Sequence, residues 1–124
     1  MISAAIAPIY LLGFLGKYFD PVADSFRVKP PIRKMVNLSR DDLTSTRTSS
    51  PMESVFGEFD IILCRNVLIY FNKELQNQIM NKFLRSLAPG GYLVLGISEP
   101  LGNEVEHQFS VVNRKNRIYK KRMM

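Results

Sequence analysis

The polar residues able to do chemistry in this chain stand behind two apolar runs. Phe59-Asp60-Ile61-Ile62-Leu63-Cys64 is followed at once by Arg65-Asn66-Val67-Leu68-Ile69-Tyr70-Phe71. The second run, Tyr92 to Ile97, leads into Ser98-Glu99, with Gly96 allowing a close backbone approach. Near-continuous apolar runs of this kind predict strands of a parallel sheet covered on both faces. Ligands of open α/β sheets bind outside the carboxyl ends of the strands. Arg65, Asn66 and Tyr70 are therefore the polar groups placed to face a ligand. Each also has a plainer use: Arg65 as the partner of a carboxylate, Asn66 as a turn cap, Tyr70 as a core aromatic with a wet hydroxyl.

Other nucleophiles and bases are scarce. Cys64, the one cysteine, sits inside an apolar strand, and the one histidine, His107, is far along the chain. The expectation is a buried, inert thiol. Glu99 is a possible general acid or base without a visible partner. A single cysteine and a single histidine also leave no disulfide framework and no zinc site. Neither a GxGxxG fingerprint nor a P-loop occurs in the 124 residues, so a complete nucleotide site cannot be drawn from them.

The elements that must position these residues follow from patterning. Between the two apolar runs, Lys73 to Leu87 carries Leu75, Ile79, Phe83, Leu84 and Leu87 on one helical stripe, with Asn72 as its N-cap. Pro89-Gly90-Gly91 is expected to end that helix. Strand, helix, strand in this order predicts a right-handed βαβ unit. Gln108 to Asn113 and Asn116 to Lys121 predict a terminal antiparallel hairpin. Upstream, residues 1–19 read as a helix broken at Asp20-Pro21. Ser25 to Lys29 alternates like a strand, Pro30-Pro31 stops the ladder, and Met35 to Ser39 is a second short strand. The Ser/Thr-rich stretch 44–54 is the most linker-like. The fold class is α/β, with a small antiparallel subdomain at about 20–40 and a sheet core over 55–122.

Composition narrows the function classes. A 124-residue chain that is 46% hydrophobic suits one small domain or part of a larger one. The formal net charge is +6, with Arg114, Lys115, Arg117, Lys120, Lys121 and Arg122 crowding the end. A basic end favours anionic partners, or simply keeps an edge strand soluble. No recognition motif accompanies the charge, so no nucleic-acid partner is expected. The apolar start MISAAIAPIYLLGFLG lacks a basic leader, contains Pro8 and is shorter than a spanning helix. It reads as a helix that packs on a sheet, without stable membrane insertion.

The run from Phe59 to Leu101 resembles CheR-type methyltransferases, which methylate glutamates of chemotaxis receptors. The shared marks are Phe59-Asp60, Cys64-Arg65-Asn66-Val67, Ile69-Tyr70-Phe71, Pro89-Gly90-Gly91-Tyr92 and Gly96-x-Ser98-Glu99. The CRNVxIYF stretch is the specific one; PGG before a strand is generic to methyltransferases. The tail RIYKK is similar to the family's final strand, FRVKPPIRKMV to its small antiparallel subdomain, and LGKYF to the preceding helix. The resemblance implies a partial Rossmann-like sheet, S-adenosyl-L-methionine as cofactor, the cytoplasmic domains of chemotaxis receptors as protein substrate, and a cytoplasmic location. It implies that Arg65 and Asn66 contact the cofactor, that Tyr70 lies near the transferred methyl, and that Asp42-Leu43 stand where the family has an adenine-contacting Asn-Leu pair. An Asp can accept from the adenine amino group but cannot donate to a ring nitrogen. The resemblance further implies that the chain begins after the family's helical N-terminal domain, Gly-rich loop, active-site Arg and ribose-binding acid. Two alternatives stand beside the enzyme: a non-catalytic receptor-binding module, on the strength of Arg27, Lys29, Arg33 and Lys34, and a basic nucleic-acid binder.

Overall fold

The computed structural model describes residues 2–3, 12–45 and 58–123. It divides into two compact units, Met1–Ser39 and Arg40–Met124.

The first unit holds a three-stranded antiparallel sheet in the order β1-β3-β2. β1 is Ile2–Ser3, α1 is Leu12–Tyr18, β2 is Phe19–Val22 and β3 is Ser25–Val28. The helix expected over 1–19 is therefore confined to Leu12–Tyr18 among the described residues; residues 4–11 lie outside them. Asp20-Pro21 does not end an element but sits inside β2. Proline is tolerated there because β2 is an edge strand, where one backbone donor is not needed by the ladder. Lys29 closes the end of α1, its N–H donating to Tyr18 O and its ammonium to Gly16 O. Pro30–Arg33 forms a one-turn helix, α2, with proline at its start, where no N–H is required.

The strand expected at Met35 to Ser39 is absent. Lys34, Met35 and Val36 spend their N–H groups on local turns to Pro30, Ile32 and Arg33 carbonyls. Both edges of β3 are already taken by β1 and β2. Met35 and Leu38 are accordingly 82% and 91% exposed.

The second unit is a mixed four-stranded sheet in the order β4-β5-β7-β6. β4 is Phe59–Cys64, α3 is Lys73–Ser86, β5 is Leu87–Leu95, β6 is Phe109–Asn113 and β7 is Ile118–Lys121. β4 and β5 are parallel, and the β6–β7 hairpin completes the sheet antiparallel. Asn72 caps α3, its side-chain oxygen accepting from Leu75 N at 2.9 Å. Of the predicted stripe, Ile79, Phe83 and Leu84 are buried and Leu75 is partly buried against the core.

Pro89-Gly90-Gly91 does not end α3. The helix stops at Ser86, and Leu87 to Leu95 run as one strand with the PGG triplet inside it. Lys121 Nζ donates to Leu84 O and Leu87 O at 2.7 and 2.6 Å, satisfying carbonyls at the helix end. The register then shifts between the Phe59↔Leu87 and Ile61↔Tyr92 pairs, and Gly90, at φ 78°, lies in the extra length of β5. Likewise β5 ends at Leu95, and Ile97 sits in a turn, 62% exposed.

The core lies between α3 and one face of the sheet: Ile79, Met80 and Phe83 against Leu93, Leu95, Phe109 and Tyr119. Fully burying one such side chain contributes on the order of 1.5–3 kcal/mol. Coverage of β4 on both faces, as its apolar run predicts, is not found. Alternation turns Ile62 and Cys64 toward the core and leaves Ile61 and Leu63 59% and 71% exposed. Among the described residues no helix is long and apolar enough to cross a membrane. The expected linker 44–54 is described only at Thr44-Ser45, the rest lying outside the described residues.

Candidate functional site

β4 and β5 finish level with each other, since Cys64 pairs with Leu95. The two following loops, 65–71 and 96–99, therefore leave the carboxyl rim side by side. Glu99 joins them. It is fully buried, and its carboxylate accepts five backbone N–H groups. Oε1 takes Asn66 N and Gly96 N, each at 2.7 Å. Oε2 takes Leu68 N at 2.7 Å, Val67 N at 3.1 Å and Ile69 N at 3.3 Å.

Successive N–H groups that converge in this way form an anion-binding concavity. Here the anion is the protein's own carboxylate. Burial pushes the Glu99 carboxyl up, but the backbone donors of Asn66, Gly96, Leu68 and Ile69 outweigh it and hold the group below the ordinary carboxylate range. Glu99 is thus a fixed negative charge, not a general acid. The partner that sequence reasoning could not find is the backbone of the neighbouring loop.

The rest of the loop is equally held. Leu68 is buried in the core, and Gln76 of α3 donates to Leu68 O at 2.7 Å and Phe71 O at 3.1 Å. Asn66 adopts φ 59°, a left-handed conformation that Asn tolerates better than most residues. Gly96 is obligatory here for a steric reason. A Cβ at that position would lie 2.5 Å from Glu99 Oε1, 2.6 Å from Asn66 Oδ1 and 2.9 Å from Asn66 N.

A fixed backbone with free side chains results. Arg65, Asn66 and Tyr70 are exposed, Tyr70 at 79%, and none of their side chains donates to a protein partner among the described residues. Val67 and Ile69 stand beside them, 37% and 50% exposed. Because Glu99 consumes the N–H groups of residues 66–69, any ligand contact from this stretch must come from side chains or carbonyls. A guanidinium, an amide and a phenol on an apolar shelf suit a ligand that is part charged and part ring.

Cys64, immediately behind the loop, is buried, and burial, with a smaller push from the Glu99 charge, raises its thiol to about 11. It has no thiolate to offer near neutral pH. Among the described residues no cluster of His, Cys, Asp and Glu could hold a metal ion.

Asp42 and Leu43 stand in a separate turn. Asp42 Oδ1 accepts from Thr44 Oγ1 at 2.6 Å and Thr44 N at 2.9 Å, and these two bonds, the hydroxyl's first, lower its pKa. Leu43 packs on the core of the second unit. The buried Lys82 of α3 fastens the turn, donating to Leu43 O at 2.9 Å and to Ser45 O. From Gln76, which holds the rim loop, to Lys82 is about 9 Å along the helix. The structure thus gathers Arg65, Asn66 and Tyr70 on one loop and anchors Asp42-Leu43 further down α3. Lys82 and Gln76 carried no sequence signal beyond being polar residues on an amphipathic helix.

Comparison with known proteins gives this geometry a family. The model of the CheR methyltransferase, SAM binding domain, matches residues 11–118. Chemotaxis protein methyltransferase 1 of Vibrio cholerae is 40% identical over 85 residues, covering 68% of this chain and 29% of its own length. Chemotaxis protein methyltransferase 1 of Pseudomonas aeruginosa is 38% identical over 107 residues, 86% of this chain and 37% of its own. The chemotaxis protein methyltransferase of Listeria monocytogenes is 36% identical over 95 residues, 77% and 34% respectively. The chain spans about a third of the length of these curated relatives. A family match that takes in the rim loop, α3 and the first arm of the hairpin makes this chain a member of the CheR methyltransferases, within their S-adenosylmethionine-binding domain.

Proposed function

We propose that this chain works in the cytoplasm as part of an S-adenosylmethionine-dependent methyltransferase that esterifies glutamate side chains on the cytoplasmic domains of chemotaxis receptors. The observation that carries the reading is the rim loop itself. Glu99 fixes its backbone at the carboxyl end of a parallel pair while Arg65, Asn66 and Tyr70 stay free to contact a ligand. The names of the Vibrio, Pseudomonas and Listeria relatives support the chemotaxis setting.

In this reading Arg65 and Asn66 hold the cofactor, Tyr70 lines the path of the methyl group, and Asp42 and Leu43 border the adenine. When bound, S-adenosylmethionine would supply an activated methyl bonded to a sulfonium sulfur. The acceptor glutamate is ionised near neutral pH, so no protein base is required. Positioning and electrostatics are what Arg65 and Tyr70 have to contribute, which accords with the absence of a reactive thiol at Cys64.

The test is transfer of tritiated methyl to receptor-containing membranes by the polypeptide that carries this segment. Label released as methanol by mild alkali is the expected product, with Arg65→Ala and Tyr70→Phe each slowing it at least about tenfold, in the range of a lost positioning contact. Alkali-stable label, or transfer indifferent to both substitutions, overturns the proposal.

A further inference from the structure

The β6–β7 hairpin and the loop before it enclose a second hollow, of about 480 Å³, away from the rim loop. Its floor is apolar: Leu101, Phe109 and Tyr119 lie buried beneath it, and Val111 opens to it at 48% exposure. Its walls are cationic. Arg114, Arg117 and Arg122 line it against one acid, Glu106. None of the three guanidiniums is in an ion pair among the described residues. Arg117 and Arg122 each commit only Nε, to Ile97 O at 3.0 Å and to Phe109 O at 3.2 Å. Their terminal Nη groups have no partner among the described residues, and neither does the Arg114 side chain. A guanidinium held by one nitrogen presents a pre-oriented fork for a carboxylate and loses less freedom on binding it.

The spacing of the cations selects the ligand. Arg114 and Arg117 sit in the turn beyond the Asn113↔Ile118 pair, whereas Arg122 follows the Phe109↔Lys121 pair at the other end of the hairpin. Phe109 and Asn113 are four residue steps apart along β6, about 14 Å at 3.4 Å per residue. A phosphate or a mononucleotide wants its cations converging on one point, whereas these branch from opposite ends of the hairpin. An extended peptide has the matching repeat. Side chains at its first, third and fifth positions share one face, and the first and fifth stand about 14 Å apart.

We propose that this groove docks an extended acidic peptide of a partner protein. Two carboxylates four positions apart meet Arg122 at one end and Arg114 with Arg117 at the other, and the apolar side chain midway rests on Val111. The inference stands apart from the methyltransferase reading, since none of Arg65, Asn66, Tyr70, Asp42 and Leu43 lines the groove.

The experiment is fluorescence anisotropy of the 124-residue chain with a fluorescein-labelled peptide containing Glu-Ser-Leu-Ser-Glu. Saturable binding is expected, at least about tenfold tighter than to Gln-Ser-Leu-Ser-Gln, and weakening as salt is raised. Arg114→Ala, which removes a side chain without a partner among the described residues, and Arg122→Gln should each weaken binding about three- to fivefold, as partly exposed ion pairs do. A peptide with its two Glu side by side should bind less well. Equal binding of the Gln peptide, indifference to both arginine substitutions, or full competition by millimolar pyrophosphate overturns the proposal; the last result would mark a convergent anion site instead.

Discussion

The Leu68 N–H donates to Glu99 Oε2 at 2.7 Å across 31 positions of chain, and this bond, with its four neighbours, turns two loops of the carboxyl rim into one rigid platform. Apart from the single 3-10 turn Leu68–Tyr70 neither loop is regular, yet every N–H from Asn66 to Ile69 is satisfied by a single buried carboxylate. The order of Arg65, Asn66 and Tyr70 is thus a consequence of a residue that need not touch any ligand.

Glu99→Gln should therefore destabilise the second unit by roughly 3 kcal/mol. An amide oxygen is a weaker acceptor than a carboxylate, and its NH2 points a donor at donors, leaving buried N–H groups unpaired. Urea denaturation gives the magnitude. Amide exchange at residues 66–69 should accelerate well beyond that at the core strand Leu93 to Leu95.

The same group sets a pH dependence of definite sign. The folded pKa of Glu99 lies below its ordinary value of about 4.3. Its contribution is therefore fully present above that ordinary value and is lost as pH falls through the depressed folded one. Unfolding free energy should hold steady in this respect above about pH 5 and drop below about pH 4. In Glu99→Gln that part of the acid limb should be missing; an unchanged acid limb would remove Glu99 as the responsible group.

Local features of this architecture were open to sequence reasoning, and relational ones were not. Asn72 capping α3 is a contact within one turn, and the β4–α3–β5 order follows from apolar runs flanking a helical stripe. The free thiol of Cys64 was foreseeable as inert because it ends an apolar run, of which Ile62 and Cys64 face the core. Glu99 was noticed but its role was invisible, because its partners are backbone N–H groups that any residue type supplies. The Met35 to Ser39 strand failed for the converse reason. Its composition suits a short strand, but β3 has no free edge to pair with it. Pro89-Gly90-Gly91 carries strong turn chemistry, which the sheet uses for a register shift rather than a helix end.

Lys82 offers a prediction about the turn that holds Asp42 and Leu43. Lys82→Met keeps the aliphatic stem in the core but removes the ammonium that donates to Leu43 O and Ser45 O. Stability should fall by about 1–2 kcal/mol, since a charge-assisted pair of bonds is lost while burial is kept. Trypsin should cut the variant faster after Arg40, at the entry to the released turn. Unchanged proteolysis would show that Leu43 packing alone holds it.

Cys64 should resist modification. With the thiol raised to about 11, roughly one molecule in a thousand carries a thiolate at pH 8, before burial restricts access further. Iodoacetamide should label the native chain orders of magnitude more slowly than the urea-unfolded one. Comparable rates would mean that the strand end opens readily, and with it the platform that Cys64 adjoins.

Asn66 separates the loop's conformation from its chemistry. Its φ of 59° costs an ordinary side chain about 1 kcal/mol and glycine nothing. Asn66→Gly should therefore be about 1 kcal/mol more stable than Asn66→Ala, although both lose the same amide. Denaturant melts of the two variants measure that difference directly. If the amide contacts the cofactor, methyl transfer by the polypeptide carrying this segment should fall in both variants by a similar factor, despite their different stabilities. Activity that instead tracks stability, with the glycine variant close to the parent, would assign Asn66 to holding the turn and leave ligand contact to Arg65 and Tyr70.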